Sequence, residues 1–463
     1  MRRGLIALFA AGLLGGVGAT AGSSAVYALT LEEAVALAVQ TNPRVGVVSN
    51  DRLAVGRELR QARALYLPQI DLRAAAGPEY TDNSTTLARG HGEGDVQIRK
   101  EASLTLSQLL FDGFYADSEV ERQQARVRSA AFRVAETAQF VALDAVEAYL
   151  EVLRHRERVQ IAQENVETHR SMLDTVRRRA SGGSGSIGDV RQAETRLASA
   201  QSALIVTQGD LRDAEALFQR VVGQAPDTLS RPGLPMDVPT SVDDAIAQAD
   251  VNSPTIAISK ADLETAEALV KQQESSLYPD FRLELLGSVR DDADGYDRTD
   301  YTASALVVMR WNLYRGGADD ARIREFKYRL AEAQSQVQAT TRDVEEEVRR
   351  SWNAVQVAHS NVAVLTQELA SAEQTRGVYR QQWELGQRSL LDLLDADNDV
   401  YRAHDNLITA QYAELFANYR LLASAGLLIR DLGVALPVTA EQRTAAATTG
   451  GTSPAEAAPA PAQ

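Results

Sequence analysis

Two aspartates near the C-terminal end of the sequence have a spacing that could support chemistry. Asp392 and Asp395 lie three residues apart in a segment with helical apolar spacing, so both carboxylates lie on one helix face. Such a pair could act as a general acid and base, or it could bind a cation. The catalytic patterns Ser-His-Asp, HExxH and GxxxxGK(S/T) are missing from the sequence. From the spacing alone, a solvated helix face with a local arginine–aspartate pair is favoured, and a cation-binding carboxylate pair is the alternative.

Two other patterns could indicate a cofactor site or a metal site, and both have a simpler structural explanation. The glycine-rich run at residues 182–185 lacks the lysine and the preceding strand of a phosphate-binding loop, so a hinge explains it better. His155 and His169 fall on the seam of a predicted coiled coil, where a packed histidine with one polar contact is the favoured interpretation. We therefore expect no cofactor, no metal site and no enzymatic activity.

Composition and charge narrow the class of protein. The chain has 463 residues, with 48 lysines and arginines against 63 aspartates and glutamates, and a formal charge of −15. Nucleic-acid binding needs a basic surface, so this composition argues against a nucleic-acid partner. The sequence contains no cysteine, which excludes disulfides, thiolate metal sites and a lipid anchor on an N-terminal cysteine.

The N-terminal segment has the pattern of a secretory signal. Arg2 and Arg3 precede a short apolar run at residues 5–14, and small residues follow. Without these two arginines the mature chain keeps 46 basic residues (48 − 2) against 63 acidic ones. It contains no apolar run of about 18 residues, so we expect no membrane-spanning helix. An exported chain of this kind is periplasmic, secreted or an outer-membrane barrel.

The sequence contains an internal duplication. Residues 30–43 resemble residues 241–254 at an offset of 211 (241 − 30). Residues 110–113 resemble residues 313–316 at an offset of 203 (313 − 110). The offset is smaller here, so the first copy has the longer loop between the two matching stretches. The predicted segments are a signal peptide at 1–28, a first structural repeat at 29–235, a second repeat at 236–436 and a disordered Ala/Pro-rich tail at 437–463.

Each repeat contains two strand candidates with alternating apolar and polar residues. They occupy residues 69–76, 101–107, 281–290 and 301–313. One apolar and one polar face suit either a soluble sheet packed on a helix or the wall of a transmembrane barrel. Aromatic residues near both ends of the strands favour the barrel, because they resemble two interfacial girdles. Four strands cannot close a membrane barrel alone, so the barrel interpretation requires an oligomer.

A very long helical tract follows the strands in each repeat. The tracts at about residues 114–180 and 317–384 have apolar residues at heptad spacing, which predicts coiled-coil packing. Each tract pauses at a glycine-containing turn, and a second helix follows at about residues 189–222 and 389–428. The pattern therefore predicts two long helical hairpins beside four strands, which is an α+β fold.

Several motifs together resemble the TolC family of outer-membrane efflux and type I secretion proteins. They are the Leu-Glu-Glu-Ala-x5-Gln-x-Asn-Pro signature from Leu31, the Leu-Phe-Asp-Gly and Leu-Tyr-Arg-Gly-Gly steps from strand to helix, and the segment at residues 386–396. The resemblance covers about residues 29–430. It implies an α+β membrane protein with four transmembrane strands per protomer, a shared barrel of twelve strands in a homotrimer, and a coiled-coil helical tunnel in the periplasm.

The resemblance also implies the function, the location and the partners. The chain would be a passive outer-membrane duct for multidrug efflux or type I protein secretion, surrounded by outer-membrane lipid. A periplasmic adaptor (a membrane fusion protein) and an inner-membrane ABC or RND pump would open and feed it. The alternative is a structural coiled-coil protein of the periplasm without channel activity. Such a rod would explain the heptads but not the four strands and their girdles.

The resemblance further assigns residues to the periplasmic end of the tunnel. In TolC-like proteins an arginine after the glycine, matched here by Arg388, ties the inner helix pair to an aspartate on the neighbouring pair, matched by Asp189. An aromatic residue helps, and Trp383 stands at its position, where the family model has tyrosine. Any hydrogen bond from Trp383 to Asp189 would therefore come from the indole N–H. Gly188 replaces a hydroxyl residue of this latch, which predicts a weaker lock.

The same resemblance gives the aspartate pair a role. Asp392 and Asp395 match lumen-facing aspartates of the family. Three protomers would bring these side chains together as a ring of carboxylates at the narrowest point. Such a ring is expected to bind cations, and mutual repulsion would raise the pKa of some of its carboxyl groups.

Overall fold

The structure is a computed structural model that describes residues 28–88, 90 and 94–436. The predicted tail and the predicted signal peptide, apart from Ala28, lie outside these residues. The elements of the first half are α1 (Leu31–Thr41), α2 (Pro43–Arg63), β1 (Gln69–Thr81), α3 (Ser84–Ala88), β2 (Asp95–Phe111), α4 (Tyr115–Ser181) and α5 (Ile187–Val222).

The second half repeats this order of long elements and has no counterpart of α3 among the described residues. Its elements are α6 (Val242–Asn252), α7 (Pro254–Glu274), β3 (Asp280–Asp291), β4 (Thr299–Arg310), α8 (Ala318–Glu384), α9 (Leu390–Ser424) and α10 (Leu428–Asp431). The two helical hairpins predicted from the heptads are therefore confirmed as α4–α5, called here the first hairpin, and α8–α9, called the second hairpin.

Capping residues and prolines explain where the short helices begin. The Thr30 hydroxyl accepts a hydrogen bond from the Glu33 N–H, and the Glu33 carboxylate accepts one from the Thr30 N–H, which completes a capping box at α1. Proline occupies the first position of both α2 and α7. Proline has no N–H to donate, so it is tolerated at a helix start but ends the helix that precedes it.

The four strands form one antiparallel sheet in the order β1-β2-β3-β4. The β2–β3 pair joins the two halves of the chain, and in one row Leu72 pairs with Leu104, Leu104 with Gly287, and Gly287 with Ala303. This register brings the predicted apolar positions of all four strands onto the same side of the sheet. Several of these side chains are exposed in the single chain, including Leu72 at 76% and Val307 at 64%.

Strand lengths differ from the predicted ranges because pairing, and not local composition, ends a strand. The first strand continues past residue 76 to Thr81, since its backbone pairs with β2 along the whole of that extension. The fourth strand stops at Arg310, before the predicted end at residue 313. Arg310 pairs with Asp280, the first residue of β3, so Trp311 has no partner strand beside it.

The two long hairpins are buried to different degrees. In α4 most predicted seam positions are buried, including Ala138, Ala145 and Val152 at 0% exposure, and both seam histidines are buried as well. Burial lowers the pKa of His169, which favours the neutral imidazole of a packed seam residue. Within the described residues of α8, the buried ones are Ile323, Val348, Ser351 and Trp383.

The largest apolar core lies midway along the hairpins, where α1 packs on α4. Its fully buried members include Val35, Tyr149, Phe218 and Leu422, contributed by α1, α4, α5 and α9. This core holds the middle of both hairpins together and leaves their turns as a separate packing unit. Among the described helices, none combines the length and the apolar composition needed to cross a membrane.

Candidate functional site at the hairpin turns

The turns of the two hairpins are built in the same way. The first turn spans residues 182–186 and the second spans residues 385–389. Each contains a glycine in the left-handed region, Gly183 at φ +77° and Gly386 at φ +76°, a conformation that other L-residues adopt only at a cost. A serine then caps the next helix: the hydroxyl of Ser389 accepts a hydrogen bond from the Asp392 N–H at 3.2 Å.

An apolar cluster packs the ends of all four long helices together next to these turns. Its members come from α4, α5, α8 and α9, so the two turns lie at the same end of the molecule. The buried residues of this cluster, called here the tip cluster, are Met172, Leu173, Val176, Val190, Ala193, Trp383, Leu390, Leu393 and Leu394.

Asp189 has a local structural partner. Its carboxylate accepts a hydrogen bond from the Ser186 N–H at 3.4 Å, while the Ser186 hydroxyl accepts one from the Gly188 N–H at 3.0 Å. Together these bonds form a capping box that starts α5. The Ser-x-x-acid spacing of residues 186–189 is the sequence signal for such a cap. Forming this cap is compatible with the latch role that the resemblance assigns to Asp189.

Arg388 makes all its described contacts within the second hairpin. Its Nε donates a hydrogen bond to the Gln382 Oε1 at 2.8 Å, and its Nη1 lies 3.5 Å from the Asp392 Oδ2. Its guanidinium carbon lies 3.7 Å from the centroid of the Tyr379 ring, which gives a cation–π contact. Among the described residues of one chain, no hydrogen bond or ion pair joins Arg388 to Asp189.

Trp383 is held by an arginine that the sequence did not single out. The Trp383 side chain is 9% exposed and belongs to the tip cluster. The guanidinium carbon of Arg179, near the end of α4, lies 3.9 Å from the centroid of the Trp383 ring. This contact joins the first hairpin to the second within one chain.

Each aspartate of the predicted constriction has an arginine partner in the same chain. Asp392 faces Arg388, and Asp395 forms an ion pair with Arg196 of α5. The aspartate side chains remain 45% and 52% exposed, so both carboxylates can still contact solvent or ions. The local arginine–aspartate pairs that the spacing favoured are therefore present, and they leave room for a second partner.

A third aspartate in the same helix has the opposite environment. The Asp397 side chain is 1% exposed, and neither of its carboxylate oxygens has a hydrogen-bond partner among the described residues. The nearest positive group is the Arg380 guanidinium, with Nη2 at 3.7 Å from Oδ1. Burial raises the pKa of Asp397, while Arg380 and Arg376 act in the opposite direction. Sequence spacing did not reveal this residue, because helical periodicity alone does not distinguish a buried aspartate from an exposed one.

The model of the outer membrane efflux protein family matches residues 34–224 and 245–427. The chain belongs to this family. The two matched segments contain both hairpins and all four strands, so family membership applies to the whole architecture described above. The chain is therefore an export channel of the outer membrane, with its long helices in the periplasm.

Individual relatives and solved structures agree with this family. The chain is 28% identical over 372 residues to the outer membrane efflux protein BepC of Brucella suis biovar 1 (strain 1330), covering 80% of this chain and 79% of that protein. It is 25% identical to the alkaline protease secretion protein AprF of Pseudomonas aeruginosa, covering 87% and 85%. The Campylobacter jejuni CmeC outer membrane channel has the same fold, with a TM-score of 0.75, 15% identity and coverage of 90% and 88%.

Proposed function

We propose that three copies of this chain form one passive export duct. The support is the open four-stranded sheet, because β1 and β4 each pair on one side only and the apolar face is exposed in the single chain. Lipid cannot satisfy unpaired backbone groups, so a sheet with open edges must close through other copies. Twelve strands from a trimer fit the closed barrels known for such proteins. The mass of the detergent-solubilised complex tests this, and a monomer that still inserts into membranes would overturn it.

The proposed organisation of the chain follows the duplication. Repeats at residues 29–235 and 236–436 each supply two strands and one long hairpin, preceded by a signal at 1–28 and followed by a tail at 437–463. The proposed partners are a periplasmic adaptor and an inner-membrane ABC or RND pump. Relatives carry names for different cargoes, such as the alkaline protease secretion protein AprF and the cobalt-zinc-cadmium resistance protein CzcC. The duct itself suits either kind of cargo, because a passive channel leaves substrate choice to the pump.

The proposed periplasmic entrance lies at the hairpin turns, and its latch joins adjacent copies. Within one chain Arg388 contacts Gln382 and Asp392, while Asp189 accepts from the Ser186 N–H. An Arg388–Asp189 pair would therefore form between the second hairpin of one copy and the first hairpin of the next. Asp189 keeps free acceptor positions for such a bond, since a carboxylate can accept several. Trp383 would support the latch by packing the end of α8 in the tip cluster.

Planar-bilayer recording tests the proposed latch. Arg388→Ser removes the guanidinium, so the mean conductance should rise above that of the wild type. Arg191→Ser is the matched control, because Arg191 lies in α5 and pairs with Glu194 on its own helix. Equal conductance for Arg388→Ser and the wild type would show that the Arg388–Asp189 pair does not hold the entrance closed.

The proposed constriction is a ring of Asp392 and Asp395 side chains from three copies. Both carboxylates are about half exposed despite their arginine partners, which supports access for a cation. Added divalent or trivalent cations should block the current, and the Asp392→Ala/Asp395→Ala variant should resist the block. Asp399→Ala, an exposed aspartate of the same helix, is the control. Equal block in the double variant and the wild type would refute the ring.

A further inference from the structure

We propose that Arg179 is a second, intramolecular latch, which holds the turn of the second hairpin against the first hairpin within each protomer. The inference rests on the proposed entrance at these turns, and it adds a residue and a contact that the Arg388–Asp189 pair does not include. If widening the entrance separates the two turns, the contact between Arg179 and Trp383 must break. Arg179 is a positioning residue in this account, since it acts on the second hairpin and not on the cargo.

The first step is the stacking contact. The Arg179 guanidinium carbon lies 3.9 Å from the centroid of the Trp383 ring, well within the range of a cation–π interaction. The ring itself is immobilised in the tip cluster, where Trp383 is 9% exposed. A planar guanidinium on a fixed, nearly buried indole is a favourable case, because the ring has little side-chain freedom left to lose, although Arg179 itself is half-buried.

The second step is electrostatic and involves the end of α8. Arg179 Nη1 lies 3.4 Å from the Trp383 carbonyl oxygen, and Nη2 lies 3.5 Å from the Glu384 carbonyl oxygen. The last carbonyls of a helix have no partner within the helix and carry its partial negative charge. The last turn of α8 contains no basic residue of its own. Arg179 therefore supplies from α4 the positive charge that the end of α8 lacks.

The third step compares the partners of Arg179 with those of the two arginines that precede it. Arg179 is the last of three consecutive arginines, and each has a different partner. Arg177 forms an ion pair with Glu194 of α5 at 2.8 Å, within the first hairpin. Arg178 donates to the Thr175 hydroxyl of its own helix at 3.2 Å. Of the described contacts of these three side chains, those of Arg179 reach the second hairpin, so its neighbours serve as matched controls.

The two proposed latches act on different boundaries. Arg388–Asp189 would join adjacent copies, whereas Arg179–Trp383 joins two hairpins of one chain. Because the second hairpin is held on both sides, full opening requires both contacts to break. The effects of Arg388→Ser and of a change at Arg179 on conductance should therefore combine to exceed either effect alone.

Single-channel recording of the full-length protein in planar bilayers tests the proposal. Arg179→Met keeps the apolar stem and removes the planar charge, and we expect the open-to-closed ratio to rise roughly three- to thirty-fold, the range of a cation–π contact. Arg178→Met should match the wild type. Arg179→Lys should fall between the two, since it keeps the charge without the planar stack. In a Trp383→Leu background, Arg179→Met should have a smaller effect than in the wild type, because the ring contact is already gone and only the contacts with the two backbone carbonyls remain to be lost.

The possible outcomes separate this inference from the proposed function. A wild-type protein that forms no channels overturns both proposals. Channels that open more in Arg388→Ser but behave like the wild type in Arg179→Met overturn the Arg179 latch alone. An equal rise in Arg178→Met and Arg179→Met also overturns it, because general loss of positive charge would then be the cause. The oligomer mass and the helical circular-dichroism signal of each variant exclude misfolding, and Arg179→Lys provides a second, milder variant for the comparison.

Discussion

The buried carboxylate of Asp397 should weaken the second hairpin, and its removal should stabilise the hairpin near the turn. Both oxygens of Asp397 lack hydrogen-bond partners among the described residues, and the side chain is 1% exposed. An unsatisfied buried polar group costs about 1–3 kcal/mol, more if it is charged. Arg380 at 3.7 Å and Arg376 offset part of this cost without forming a hydrogen bond. For Asp397→Asn we expect a net gain of about 1–2 kcal/mol in the free energy of local unfolding.

Hydrogen exchange of the α9 amides around residue 397 measures this free energy directly. A gain of about 1–2 kcal/mol corresponds to exchange that is roughly five- to thirty-fold slower at the same pH. Asp399→Asn is the control, because Asp399 lies two residues away and is exposed. Its exchange should equal that of the wild type.

The effect of Asp397 should depend on pH with a defined sign. Burial raises its pKa in the folded chain above the ordinary value of 3.8. The folded state therefore holds this proton more tightly than the unfolded state, and stability from this group is lost as pH rises through the raised pKa. The advantage of Asp397→Asn should be greatest at about pH 8 and should shrink as the pH approaches about 4. Faster exchange in Asp397→Asn at about pH 8 would mean that pairing with Arg380 outweighs burial, and would refute this account.

Three further changes probe the packing that supports the duct. Leu394→Ala empties a position of 0% exposure in the tip cluster and should cost about 2–5 kcal/mol, seen as faster hydrogen exchange in both turns and not in the mid-hairpin core. Tyr149→Phe removes a hydroxyl that lies 2.7 Å from two backbone carbonyl oxygens, and should lower the free energy of unfolding by about 1–2 kcal/mol in thermal denaturation; an unchanged midpoint would contradict it. Arg158→Met breaks a two-bond ion pair with Asp405, at 2.6 and 3.2 Å, whose side chains are 22% and 25% exposed. We expect a loss of about 1–3 kcal/mol, which Asp405→Asn in the same background should partly recover.

The long elements could be predicted from the sequence because their signals are local and repeat many times. The predicted tract at about residues 114–180 corresponds to α4 at Tyr115–Ser181, and the tract at about 317–384 corresponds to α8 at Ala318–Glu384. A heptad repeated over so many turns leaves little freedom in where the helix lies. The ends of the strands were harder to predict, since a strand continues as long as a neighbour pairs with it. Thr81 and Arg310 are strand ends for that reason.

For the candidate site, too, the sequence predicts some features and leaves others to the tertiary structure. The glycine turns and the position of Trp383, Arg388 and the aspartate pair near them follow from residue order alone. The partners of these side chains do not. Nothing in the run at residues 177–179 distinguishes the arginine that crosses to the second hairpin from the two that stay within the first.

The sequence by itself determined that this chain is a duplicated α+β protein of the outer membrane efflux family, with two long hairpins that turn at glycines. Periodicity and motif order carry that information, because each depends on neighbours along the chain. Only the tertiary structure decided that Arg179 stacks on Trp383, that Asp189 caps α5, and that Asp397 is buried without a hydrogen bond. Those contacts depend on how far one helix is rotated and shifted against another. Rotating a helix about its axis moves a charged side chain from solvent to a neighbouring helix, and no local spacing records that rotation.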